Sequence, residues 1–183
     1  RQHGELRKAK RDLEEAMKKA RSPQVALVYT EVCLALESYP DAELALTAAM
    51  DRFPGDQRLP RMLMSLYQRR QHWGKLEQLL AETRSRFATE AWYYRTLHDM
   101  WKTRNNRAKA REALEMALDA ASGRNLPRIV HDAIRSLLDY EAYDRVLELA
   151  DTYAEDGRFG PWLDAYKAEA LLGNRQTREG EAL

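Results

Sequence analysis

A chain of 183 residues with 44% hydrophobic content is long enough to bury a core, which excludes intrinsic disorder. Its 30 basic and 29 acidic side chains leave a net charge of +1, so no global field draws nucleic acid or an anionic membrane. One cysteine excludes a disulfide-stapled fold. The absence of 18 consecutive apolar residues speaks against a membrane span, and the basic start Arg1 to Arg11 has no apolar stretch after it to make a signal peptide. The sequence opens on Arg1 rather than methionine and so reads as a fragment of a longer chain.

Eight glycines, six prolines and no alternating β-branched run predict an all-α chain. In chain order, a first helix is expected over about 4–20, its solvated face supported by the Glu14–Lys18 and Glu15–Lys19 pairs. Ser22-Pro23 reads as a cap followed by a helix start. Helix pairs follow at about 23–37 with 40–53, 58–71 with 73–87, 90–104 with 107–121, and 127–140 with 143–155. Pro54-Gly55-Asp56 stops one helix and offers Asp56 as the next cap, with Pro60 able to delay that start. Gly74, Asn105-Asn106, Ser122-Gly123, Gly157 and Gly173-Asn174 mark further turns, and a last helix spans about 161–172.

These segments repeat. Ala9, Ala42, Leu76, Ala110 and Val146 stand 33, 34, 34 and 36 residues apart, and Leu13, Leu46, Leu80, Leu114 and Ala150 share those spacings. Cys33, Tyr67, Trp101 and Leu137 form a third column, and Tyr29, Leu63, Leu97 and Ala133 a fourth. A helix pair cannot bury both its apolar stripes alone, whereas stacked pairs share one core. The columns therefore predict buried packing residues, with small Ala42 and Ala110 admitting close helices and Tyr67 and Trp101 filling the space between pairs.

The spacing and residue identities resemble the tetratricopeptide repeat family in divergent form. Its small, small and proline positions are matched by Ala42, Ala49 and Pro54, and its large and aromatic positions by Tyr67, Trp73 and Trp101, with Ala110 and Ala117 again small. Gly4, Ala9 and Ala16 at the front, and Trp162 and Gly173 at the back, extend the pattern into flanking half-units. The family's eighth-position glycine is replaced by Thr30, Met64, His98 and Ile134, which implies looser or tilted packing there. The resemblance implies an α-solenoid, a right-handed superhelix of antiparallel helix pairs, as one array over 1–183. Its units are a half-unit 1–22, then 23–56, 57–90, 91–126 and 127–158, and a partial 159–183.

No catalytic constellation, metal motif or phosphate loop stands out, so a non-enzymatic chain without cofactor or metal is expected. His98-Asp99 and His131-Asp132 fall in adjacent units and are the one arrangement that suggests acid–base or metal chemistry, weighed against polar surface residues. Cys33, in a packing column, reads as a buried, inert thiol.

Residues 58–111 carry 13 basic and 4 acidic side chains, whereas 139–156 carry 1 basic and 7 acidic. In the family the first helix of each pair lines a concave groove, and the resemblance places Arg58, Arg61, Arg69, Trp92, Arg95, Lys102 and Arg135 there, with an apolar strip of Leu27, Val28 and Leu34. The expected function is a protein-binding scaffold that takes an acidic partner segment, arginine supplying forked donors and Trp92 an anchor. Alternatives are an RNA-binding helical repeat, or a regulatory region of a larger enzyme or signalling protein. With 22 arginines against 8 lysines, the composition looks like that of a bacterial protein from a GC-rich genome. Divergent arrays of this kind resemble periplasmic scaffolds of exopolysaccharide export and secretion machines, with the cytoplasm as the other setting.

Overall fold

The structure, a computed structural model, describes the backbone of residues 2–181 and the side chains of 3–175. The described residues form ten α-helices and no strand. They group into two compact units. Unit 1, Arg1–Phe87, holds α1 (Gln2–Lys19), α2 (Gln24–Ala35), α3 (Tyr39–Arg52), α4 (Arg58–Arg69) and α5 (Trp73–Phe87). Unit 2, Ala88–Leu183, holds α6 (Ala91–Thr103), α7 (Arg107–Asp119), α8 (Leu126–Asp139), α9 (Tyr143–Thr152) and α10 (Trp162–Glu181). Within each unit consecutive helices pack on one another, the stacked-pair arrangement expected from the columns.

The columns are the core. Ala42, Leu76, Ala110 and Val146 are all 0% exposed, and Leu46, Leu80, Leu114 and Ala150 are buried beside them. On α1 the same columns, Ala9 and Leu13, are half-exposed, because α1 packs chiefly on α2. At the eighth position Thr30, Met64, His98 and Ile134 are all enclosed, so larger side chains fill the space a glycine would leave. The Thr30 hydroxyl donates to Ala26 O, which removes the cost of burying it.

Trp101 departs from its column. Cys33, Tyr67 and Leu137 are buried, but Trp101 is half-exposed and Met100 takes the sealed place. Tyr67 is tied to helices on both sides, donating its hydroxyl to Glu43 of α3 while Lys75 of α5 lies over its ring. Trp101 sits on α6, which packs chiefly on α7. Its exposed ring carries Lys109 at 4.2 Å and Arg104 at 5.0 Å instead.

Every first-to-second-helix turn has one geometry. Glu37, Gln71, Asn105 and Glu141 are left-handed, with φ of 55–57°, and the following amide donates to the carbonyl five residues back (Ser38 to Cys33, His72 to Tyr67, Asn106 to Trp101, Ala142 to Leu137). This double-bonded cap satisfies the terminal carbonyls of each helix, and none of the four left-handed residues is glycine. Gly74 is not the turn residue it resembles; it lies inside α5, and Gln71 makes the turn. Gly173-Asn174 does not end a helix either, since α10 continues to Glu181. A Cβ on Gly173 would come within 2.4 Å of the Tyr143 ring, so glycine serves there for close approach of α10 to α9.

Arginines link successive pairs. Asp56 accepts from the Arg58 amide at 2.9 Å and from its guanidinium, which also donates to Gln24 at the start of α2. Asp156 and Arg158 repeat the fork, and Arg158 reaches Gly123 O. Arg52 donates to Met17 O and Ala20 O at the end of α1, and Arg86 makes the corresponding bond to Pro54 O. Pro60 lies in the first turn of α4, where a missing amide costs nothing, and does not delay the helix.

Candidate functional site

Leu27 apart, the residues expected to line a groove lie on the outward faces of α2, α4, α6 and α8, and each unit presents its own. In unit 1, Arg58, Arg61 and Arg69 are exposed along α4, while Val28 and Leu34 are half-exposed on α2. Leu27 is a correction: at 8% exposure it belongs to the core rather than to an open strip. Most of α2 is apolar, so the helix sinks to bury Ala26, Leu27, Tyr29, Thr30 and Cys33. Arg58 is held in the fork with Asp56 and Gln24, so its donors serve the fold first.

In unit 2 the acids of α8 meet the cations of α6. Arg95 pairs with Asp132 at 2.6 Å and Lys102 with Asp139 at 2.9 Å. Both pairs span 37 residues, the 36-residue offset between the two helices plus one position. Trp92 is half-buried and packs edge-on to Tyr93 with ring centroids 6.2 Å apart. Arg135, like Arg69 in unit 1, is exposed and makes no hydrogen bond or ion pair among the described residues. The cations placed together by repeat position therefore differ in availability.

The two histidines have parallel surroundings. His98 is buried, its Nδ1 3.0 Å from Asp99 Oδ1 and its Nε2 3.2 Å from the Tyr140 hydroxyl. His131 lies 3.6 Å from Asp132 through Nδ1 and 3.2 Å from the Tyr166 hydroxyl through Nε2. Its ring also packs edge-on against Trp162 with centroids 5.0 Å apart. Each imidazole is thus a strut between an acid on its own helix and a tyrosine from the C-terminal side, and the described residues hold no group of three or more His, Cys, Asp or Glu suited to a metal. Burial pushes the Cys33 thiol up, with Tyr29 and Lys10 opposing, which keeps it protonated and unreactive.

Two features escaped the sequence reading. The aromatic cluster of His131, Trp162 and Tyr166 joins α8 to α10 on the face that carries Arg128 and Arg135. Its signal was present, because Trp162 opens α10 as Trp92 follows the start of α6. The Asp-x-Arg forks at Asp56 and Asp156 were visible as matching loops, Phe53 to Leu59 against Tyr153 to Phe159.

Among solved structures the chain is similar to TTC0263, a thermophilic tetratricopeptide repeat protein of Thermus thermophilus. The TM-score is 0.59 at 18% identity, covering 92% of each chain. The fold is that of the tetratricopeptide repeat. The chain is similar also to MamA, with a TM-score of 0.53, 13% identity and 87% and 91% of the two chains covered. A MamA RS-1 ArsTM double mutant gives 0.52 and 13%, with 96% and 89% covered. No protein-family model matches the sequence, and no curated protein matches it by sequence. The tetratricopeptide fold is thus carried by packing positions, with side-chain identity largely free between them.

Proposed function

We propose that the chain is a non-catalytic scaffold that binds an extended, acidic segment of a partner protein on the outward faces of its first helices. The observation that carries this reading is the division of labour within each unit. The column residues other than Ala9, Leu13, Leu97 and Trp101 are sealed, while the first helices leave a row of polar, cationic and aromatic side chains open. Arg69 in unit 1 and Arg135 in unit 2 are the cations we assign to partner carboxylates, with Arg61 beside Arg69, Arg128 beside Arg135, and Trp92 and Trp162 as apolar anchors. Arg95 and Lys102 contribute once a partner carboxylate competes with Asp132 and Asp139. Val28 and Leu34 extend the contact on α2.

The setting we propose is a bacterial export or secretion assembly such as that for exopolysaccharide, supported by the arginine-rich composition and the divergent array. No helix among the described residues is long and apolar enough to cross a membrane, so the chain would join such an assembly through protein contacts.

The test is fluorescence anisotropy with a labelled Asp/Glu-rich peptide and, in parallel, a labelled single-stranded RNA. The reading expects salt-sensitive peptide binding that weakens in the Arg69→Glu, Arg135→Glu double variant with helicity unchanged. Binding of the RNA in preference to the peptide would favour the nucleic-acid alternative, and equal peptide binding by the double variant would move the surface elsewhere.

A further inference from the structure

The grooves between successive second helices of unit 1 occupy the same repeat position and differ in chemistry. Between α3 and α5 the groove is polar, with Lys75 bonded to Glu43, and Gln78 and Glu82 along its wall. Between α1 and α3, on a floor of Ala26 and Tyr29, the corresponding wall is Leu44, Ala45 and Ala48, where Gln78, Leu79 and Glu82 stand 34 residues later. The slot holds about 510 Å³ against about 570 Å³ for the polar groove, so the replacements change its chemistry rather than its size, and the volume suits a pair of inserted side chains. Its carboxylates are engaged within the unit: Glu14 accepts from Tyr29, Glu15 pairs with Lys18, and Asp41 pairs with Lys10. Cations then dominate the end of the slot at the α1 terminus, where Arg52 lies against α1 carbonyls and Lys19 and Arg21 flank the lining residues.

Among the described residues the exposed large hydrophobics are Leu44, which lines this slot, and Leu171 and Leu172 on α10. Leu171 and Leu172 follow exposed Ala168 and Asp164 along one helical stripe, with Glu169 exposed beside them. Asp164 and Glu169 make no ion pair among the described residues. We infer that a second copy of this chain seats its Leu171–Leu172 ridge in the α1–α3 slot, with Asp164 and Glu169 toward the cationic end. Apolar ridge meets apolar slot, and these acids meet Lys19 and Arg21, which make no ion pair among the described residues. Slot and ridge are different surfaces, so each contact is head-to-tail. The contact is small, so association is weak and concentration-dependent.

The experiment is sedimentation velocity over a concentration series of the 183-residue chain and two variants. The slot variant, Leu44→Gln with Ala48→Glu, installs the residues of the neighbouring polar groove, and the ridge variant is Leu171→Glu with Leu172→Glu. All four positions are exposed, so folding is preserved; should either variant lose its helical signal, Ala48→Gln and Leu172→Ser replace them. The wild-type mass should rise with concentration beyond one chain, and each variant alone should stay at one chain. An equal mixture of the two should form pairs and nothing larger, because one intact slot meets one intact ridge. A wild type that stays single at every concentration would assign the slot to another occupant, and variants that associate like the wild type, or a mixture that forms no pairs, would equally overturn the inference. The slot substitutions lie on the second helix α3, away from the first-helix faces, so their effect on self-association is independent of peptide binding.

Discussion

The helices α4 and α6 begin one repeat apart, one in each unit, and hold the same repeat positions, yet they use them differently. Tyr67 of α4 is sealed and hydrogen-bonded, whereas Trp101 of α6 lies half-exposed under two cations. Asp56 forks onto Arg58 at the start of α4, while Glu90 makes no capping bond at the start of α6 and Trp92 stands where Arg58 does. The outward cations of α6 are answered by acids of α8, whereas Arg69 of α4 makes no ion pair among the described residues. Repeat position fixes which way a side chain points; neighbouring helices decide what remains for a partner.

The largest expected difference is in packing. Tyr67→Ala should cost about 3–5 kcal/mol by chemical denaturation, as for other buried aromatics, and Trp101→Ala about 1–2 kcal/mol, chiefly lost ring contact. Equal costs would place Trp101 in the core after all. Ala110, buried against α6, should resist enlargement: Ala110→Leu is expected to cost about 1–3 kcal/mol by overpacking.

Next is the helix start. Asp56→Ala should destabilise by about 1 kcal/mol at pH 7, whereas Glu90→Ala should stay within about 0.5 kcal/mol. Hydrogen bonds from Arg58 hold the Asp56 carboxyl below its ordinary range, with burial opposing. A depressed folded value means that the stabilisation is whole above the unfolded value of about 3.9 and is lost as pH falls through the folded one. The difference between wild type and Asp56→Ala should therefore shrink in acid, which pH-resolved melts will read. A difference that grows on acidification would contradict the assignment.

The smallest effect concerns the turns that end the two helices. Gln71 and Asn105 are both left-handed, but asparagine tolerates that conformation better. Gln71→Gly should raise stability by about 0.5–1 kcal/mol and Asn105→Gly by less, since relief of strain is offset by a freer unfolded chain. A loss of stability in Gln71→Gly would mean that the Gln71 side chain makes a contact worth more than the strain.

Helix positions and most of the core were legible because packing columns recur in sequence, and a column such as Leu46, Leu80 and Leu114 needs no knowledge of its neighbours. Trp101 was not legible, because a column does not record which partners meet each member: Tyr67 meets Glu43 and Lys75, whereas Trp101 meets Lys109 and Arg104. Of the left-handed turns the sequence marked only Asn105-Asn106, since hydrogen bonding rather than glycine sets those at Glu37, Gln71 and Glu141. The site was less readable still. The repeat placed Arg95 and Lys102 on a surface, but whether Asp132 and Asp139 reach them depends on a shift of one position between helices. Leu27 was misplaced for a related reason, as an apolar helix turns more of its circumference inward.

The most direct test of partner binding uses that contrast. The affinity for one acidic peptide is measured for the wild type, for Arg69→Glu, and for the Asp132→Asn, Asp139→Asn double variant. Each exposed charge contributes about 0–1 kcal/mol, so changes of roughly two- to fivefold are expected. The account predicts weaker binding when Arg69 is reversed and tighter binding when Arg95 and Lys102 lose their acids, both effects fading as salt is raised. Affinities unchanged in both variants would contradict it.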